Sequence, residues 1–328
     1  MSEPDLEALA ARLRQLAGWR GKTDIQRPAA HFPHLPFPAL GVAAALGDDA
    51  ALLPAATGSL LLACEGLHPD LVDQDPWFAG WSGVLVNLSD IAAMGGRPLA
   101  VVNSLWSGDA SHADLILNGL RVASETFQVP VVGGHTNLHS PYNALSVAVL
   151  GVAKGPVLSA RCARPGDHCH LLINTSGHVH HPYPFWDAAT TAEPALLRRH
   201  LALMAELAES GTVHAAKDIS MGGLIGTAVM FAEASGCGLE LDLDAISPPA
   251  GVSLDDWLCC FPSYGYLLAA GPERAGALAA AVAPFADLQL ACIGRFGPVG
   301  GGLSLRQAGQ CHQLWSGDEA LTGFGALC

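Results

Sequence analysis

The chain carries little charge for its length, and basic residues are the scarcer kind. Asp, Glu, Lys and Arg make up 14% of 328 residues, with Lys and Arg numbering 16 against 30 acidic residues. The formal net charge of −14 argues against nucleic acid as a partner, because phosphate backbones are held by Lys and Arg. Long apolar runs are also missing. A stretch such as Leu145 to Ala153 is too short to cross a bilayer as a helix. The acidic start, Met1 to Glu7, lacks the apolar core of a signal peptide. No membrane partner is therefore expected, and cytoplasm is the expected location. The nine cysteines show no CxxC spacing, are odd in number and include the adjacent Cys259 and Cys260. This excludes a disulfide framework or a recognisable zinc motif, and most of the thiols are expected to be small buried apolar groups.

Apolar residues are abundant instead, at 50% of the chain, as in a compact globular protein with room for two domains. An acidic protein can still bind phosphates where magnesium supplies the positive charge. Ser2 through Leu16 reads as an amphipathic helix, with Leu6, Leu9, Leu13 and Leu16 on one stripe and a capping-box-like start from Ser2 and Asp5. Gly18 to Pro38 reads as a loop, in which Lys22 is either solvated or within reach of a phosphate. Strands are expected at 42–46, 59–63, 99–105 and 145–153, and helices at 76–94 and 110–127. The first domain then spans residues 1–154. After a Gly- and Pro-containing junction, the second (155–328) has strands at 168–173, 239–243, 264–269 and 288–295. It has helices at 194–209, 221–234 and 272–285, then a hairpin in 300–315. The fold class is α/β with two mixed domains.

Four segments carry candidate chemistry. Gly47-Asp48-Asp49-Ala50-Ala51 follows an apolar strand. Two adjacent carboxylates there are costly unless solvated or bound to a hard cation such as magnesium, and taken alone the segment reads first as a plain surface turn. In the apolar stretch Val86 to Pro98, Asn87 and Asp90 are three apart and share a helix face. A carboxylate in such a helix needs a partner, either a metal or a hydrogen-bond network. Val131-Val132-Gly133-Gly134-His135-Thr136 reads as a strand entering a Gly-Gly turn, where the backbone can approach a ligand and His135 can contact an anion. A satisfied structural His is the alternative. Lys217-Asp218-Ile219-Ser220-Met221-Gly222-Gly223 opens a helix, whose free amides favour anions. Asp218 there is either a ligand-contacting group or the N-cap. His178, His180 and His181 lie beside Tyr183, Phe185 and Trp186 in a Pro-rich loop. That loop is either an exposed tip, an aromatic-walled pocket or a metal site.

In this order and context, the four segments resemble the superfamily of aminoimidazole ribonucleotide synthetase, which also holds thiamine-monophosphate kinase, selenophosphate synthetase and a hydrogenase-maturation protein. The likeness runs from about Gly41 to about Arg295 and is most specific in Gly47–Ala51 and Asn87–Pro98. It implies an N-terminal sheet that pairs across a homodimer into a barrel and a C-terminal α+β domain. It also implies ATP bound with magnesium on the N-terminal aspartates. On that basis Asp48, Asp49 and Asp90 are metal-ligand candidates, and Gly47, Asn87, Gly133, Gly134, Gly222 and Gly223 are nucleotide-contact candidates. Asp218 becomes a contact near the phosphates or second substrate, and His135 an anion contact or proton carrier. Cys64 to His68, Asn87 to Pro98 and Asp218 to Ser220 look most like thiamine-monophosphate kinase. Gly133 to Thr136 and Pro69 to Gly80 look more like selenophosphate synthetase, whose reactive N-terminal Cys or selenocysteine motif is absent. The kinase pattern has Asp where this chain has Leu61, His135 and Met221, and an acidic stretch where it has Phe261 to Tyr266. The expected activity is ATP-dependent phosphotransfer or ATP-activated synthesis on a small molecule. The alternatives are a catalytically degenerate nucleotide-binding scaffold and a selenophosphate-synthetase-like enzyme.

Overall fold

A computed structural model describes residues 5–22, 26, 48–55 and 58–325. The expected strand at 42–46 and the nucleotide-contact candidate Gly47 lie outside these. Helix α1 (Leu6–Gln15) starts at the first leucine of its stripe and later than the expected Ser2, because the Asp5 carboxylate accepts from the Ala8 amide at 2.9 Å and sets the N-cap. Its Leu6, Leu9 and Leu13 are buried, as the spacing requires. The expected loop gives way at its start to helix α2 (Ala17–Lys22), which includes Lys22. Among the described residues, no helix is long and apolar enough to cross a membrane.

The chain divides into two compact units, one of them Asp49–Val157 with Thr191–Glu209. It contains β1 (Ala51–Ala55), β2 (Gly58–Gly66), α3 (Pro69–Gln74), α4 (Pro76–Ala93), β3 (Arg97–Trp106), α5 (Ala110–Phe127), β4 (Val131–Asn137) and β5 (Ala144–Ala153). The strands form one sheet in the order β1-β2-β5-β3-β4, antiparallel except for the β3–β4 pair. Leu145, Val147 and Val149 alternate inward along β5, towards α4. Helices α4 and α5 approach so closely that a Cβ on Gly80 would lie 2.1 Å from the Ile116 carbonyl oxygen. The opposite face of the sheet leaves Leu62, Val102 and Leu150 exposed. Helix α6 (Pro194–Glu209), far along the chain, packs on α4, α5 and β3 of this unit. Arg198 donates to the Thr126 carbonyl at 2.7 Å, and Arg97 pairs with Glu209 at 3.3 Å. The expected Gly-Gly turn is instead the middle of β4. There the strand runs beside β3, and a Cβ on Gly134 would come 2.6 Å from the Asn103 carbonyl oxygen.

The second unit comprises Met1–Asp48, Leu158–Thr190 and Ser210–Cys328. After α1 and α2 its elements are β6 (His168–Asn174), β7 (His178–Val179), β8 (Phe185–Asp187), β9 (Ala215–Asp218), α7 (Gly223–Ser235) and β10 (Cys237–Asp242). They continue with α8 (Leu254–Cys259), β11 (Phe261–Pro262), β12 (Gly265–Ala270), α9 (Ala275–Val282), β13 (Leu288–Val299), β14 (Leu303–Gln307) and β15 (Gln310–Trp315). Seven strands pair in the order β15-β14-β10-β13-β6-β12-β9, and β11-β8-β7 form a small separate sheet. Helix α7 is apolar nearly all round, and every residue from Gly223 to Ala234 is buried, as expected of a helix enclosed by its neighbours. Its one carboxylate, Glu233, is buried yet satisfied. It accepts from the Leu321 and Thr322 amides at 2.9 Å each and from the Thr322 hydroxyl at 2.5 Å. The helix expected at 272–285 is shorter, a 3-10 turn at Pro272–Arg274 followed by α9, and Pro284 stops it.

Thiol burial differs in part from expectation. Cys169, Cys237 and Cys260 are buried, and burial pushes the Cys260 thiol up to about 12. Cys64, Cys162, Cys292 and Cys311 are exposed.

Candidate functional site

Asp90 sits on α4 and is buried, one turn after Asn87. Asp49 stands half-buried just before β1. The fold brings them together, with a carboxylate oxygen of each within 4.8 Å of the other. Two carboxylates at that range repel unless a proton or a cation lies between them, and hard oxygen donors suit magnesium. The donor set therefore fits that ion.

The other predicted residues range from exposed to buried positions. The Asp48 carboxylate accepts from the Ser159 hydroxyl and from the Ala160 amide at 3.4 Å, at the start of the 3-10 turn Ala160–Cys162. Asn87 is fully buried and donates to the Gly83 carbonyl at 2.8 Å, one turn back along its own helix. Its Oδ1 has no hydrogen-bond partner among the described residues. Gly133 and Gly134 lie exposed on the edge strand β4, as does His135, whose ring centroid is 6.4 Å from that of Trp106.

In the other unit, Asp218 is the last residue of β9 and is buried. It is not the cap of the following helix: Gly222 is the N-cap of α7 and makes no side-chain cap bond. A Cβ on Gly223, whose φ is +67°, would lie 2.5 Å from the Leu258 carbonyl oxygen, so packing against α8 alone demands glycine there. The Ser220 hydroxyl, near the same helix start, is buried without a partner among the described residues. Sequence spacing had passed over it.

The histidine loop is an aromatic stack. Tyr183 stacks on His180 at 6.3 Å and on Phe185 at 5.2 Å between ring centroids. Among the described residues, His178, His180 and His181 do not converge as a metal-ligand set. A set that sequence spacing missed does converge, from His168 and His170 on β6 and Cys292 on β13. Only strand register could have signalled it.

Where the kinase pattern has carboxylates, Leu61 is fully buried, at 0% exposure, with its side chain against the Gly96 backbone. Met221 is 38% exposed.

Two mixed α+β units with these sheet orders form the AIR synthase-like two-domain architecture. Residues 47–153 match the sequence profile of the AIR synthase related protein N-terminal domain, and residues 170–302 that of its C-terminal domain. The chain belongs to the AIR synthase-related family. It is 54% identical to the Synechocystis protein sll0787 over 71% of this chain and 72% of that one. Among solved structures, "T. maritima PurL complexed with ADP" superposes with a TM-score of 0.76 at 17% identity, covering 98% of this chain. This chain spans about half of that PurL chain, 52%. "AaThiL complexed with AMPPCP and TMP" superposes with a TM-score of 0.64 at 22% identity, covering 87% of this chain and 92% of that one.

Proposed function

We propose that this chain is an ATP- and magnesium-dependent phosphotransferase or ATP-activated synthetase, thiamine-monophosphate-kinase-like in its scaffold, acting on a small molecule. The observation that carries this is the convergence of Asp49 and Asp90 within 4.8 Å on an otherwise apolar helix and strand entry. Two solved structures that share the fold add weight, one complexed with ADP and the other with AMPPCP and TMP.

In this reading Asp48, Asp49 and Asp90 hold magnesium, the Asp48 carboxylate also accepting from the Ser159 hydroxyl and the Ala160 amide. Magnesium would supply charge neutralisation for phosphate oxygens. The backbone of Gly133, Gly134, Gly222 and Gly223 lets nucleotide come close, Gly47 stays a contact candidate outside the described residues, and Asn87 orients through its Oδ1, which has no partner among the described residues. Asp218 acts on the transferred group or its acceptor, and His135 contacts an anion or carries a proton.

The exposed Leu62, Val102 and Leu150 support a homodimer in which this sheet face meets a second copy. A cytoplasmic location and a first domain ending near Lys154 belong to the same proposal.

Calorimetry with Mg–ATP and a non-hydrolysable analogue tests the reading. Saturable binding that needs magnesium and is lost in Asp90→Asn is expected; no binding at millimolar nucleotide overturns it. A product assay then assigns the chemistry, ADP for kinase or synthetase and AMP with two phosphates for a selenophosphate-synthetase-like route.

Leu61 favours a second reading, a nucleotide-binding scaffold without turnover, because an apolar core side chain stands where the kinase has a carboxylate. That reading expects nucleotide to raise the melting temperature with no ATP consumed over hours.

A further inference from the structure

The seven-stranded sheet holds a second group of ligating side chains, of a different chemical kind from the aspartates. His168 and His170 flank Cys169 on β6, so both rings leave the sheet on the face opposite Cys169, Leu171 and Ile173, which join the core. On the neighbouring strand β13, Cys292 is the antiparallel register partner of His170. The register shifts between Cys292 and Gly294, the kind of local irregularity that re-aims side chains. One ring nitrogen from each histidine and the Cys292 sulfur lie within 4.8 Å of one another.

Two further observations point to a ligand. His170 is 4% exposed, and its Nε2 is buried with no hydrogen-bond partner among the described residues. A buried polar nitrogen is normally satisfied, so the vacancy needs an explanation such as an ion. Cys292 is exposed, and its hydrogen bonding among the described residues is one long contact, 3.8 Å, to the Gly294 carbonyl. The group is closed on the His170 side and open to solvent on the Cys292 side.

We propose that His168, His170 and Cys292 form a site for a borderline divalent transition metal, zinc first. Its fourth position, on the exposed side of Cys292, would take water or a small anionic ligand. Two imidazoles and a thiolate select such an ion over magnesium or calcium, which prefer oxygen. Bond lengths of about 2.0–2.1 Å to nitrogen and about 2.3 Å to sulfur require the three donors to draw in by roughly 1 Å, which side-chain rotation supplies. Binding forms a metal–sulfur bond, sends the Cys292 thiol proton to solvent and changes no oxidation state.

The test uses the full chain, stripped with a chelator, kept reduced and titrated with cobalt(II), whose spectrum reports donor type. One equivalent should produce a near-ultraviolet thiolate-to-cobalt charge-transfer band and the intense visible bands of a tetrahedral site, both bleached by zinc. Cys292→Ser, at an exposed position, should keep the fold by circular dichroism and lose the charge-transfer band. His168→Ala should weaken cobalt binding by at least about tenfold, and Cys311→Ser, at another exposed thiol, should leave the spectrum unchanged. No charge-transfer band in the wild type, or a band that survives Cys292→Ser, overturns the proposal. Nucleotide binding does not enter these readouts, so this site stands or falls separately from the proposed ATP site.

Discussion

Asp90 lies inside a continuous helical motif, and one carboxylate from a second motif completes its pair; Cys292 meets His170 only because β13 runs beside β6. The first group is hard oxygen and the second is nitrogen and sulfur, so the two predict opposite metal preferences. Their supports differ as well. Asp90 rests on a helix held by close backbone contact with α5 and Asp49 on the entry to β1, whereas the histidines rest on a central strand paired on both sides. A site made of a local motif announces itself in sequence, while a site made by strand register does not.

The largest effect is expected at the position where the aspartate-based unit departs from the kinase pattern. Leu61→Asp introduces the carboxylate of the kinase pattern but places it in the core beside Gly96 and Ile91. A loss of about 4 kcal/mol or more is expected in urea unfolding. A loss under about 1 kcal/mol would mean that the site tolerates the kinase carboxylate and that leucine does not mark its limit.

Next comes pH, which separates the two groups because only one contains a buried imidazole. Burial, helped by the neighbouring His168, holds His170 at about 4, below the ordinary histidine value of 6.5. The unfolded chain therefore takes up a proton that the folded, metal-free chain refuses. Stability from this group is complete above pH 6.5 and is lost as pH falls from 6.5 towards 4. The loss should be on the order of 2–3 kcal/mol, read from denaturant unfolding across that range. His170→Leu should flatten the profile there, and an unchanged profile would remove the burial argument.

Magnesium gives a smaller effect. At about ten times its dissociation constant it should stabilise the wild type by about 1.4 kcal/mol and Asp90→Asn not at all. Zinc should stabilise both equally, and a magnesium response that survived Asp90→Asn would break the assignment of the oxygen site. Smallest of all, Cys292→Ser in the metal-free chain should change stability by less than about 0.5 kcal/mol, because the thiol is exposed. A larger loss would show that Cys292 packs as a core residue.

Much of the scaffold was legible in residue spacing. The helices at Ala110–Phe127 and Pro194–Glu209 end where the periodic pattern ends, and strands β2, β3, β5 and β6 fall on the apolar runs. Glycine was the main source of misreading. Gly133-Gly134 resembles a turn locally but serves close strand pairing, and Gly222-Gly223 delays the start of α7, so that Asp218 ends a strand and Gly222 takes the N-cap. The thiols were misread for a related reason: composition says how many cysteines there are, while the face of a strand decides which of them meet solvent.

Taken alone, the sequence determined the family, the order of the elements and the two aspartate motifs, because each is written in short-range spacing and residue type. The tertiary structure decided which carboxylates meet, that Leu61 is core, that the long helix α6 packs with the Asp49–Val157 unit, and that two histidines and a cysteine share one sheet face. Those facts depend on strand register and on contacts between residues far apart in the chain, and local spacing carries no signal for either.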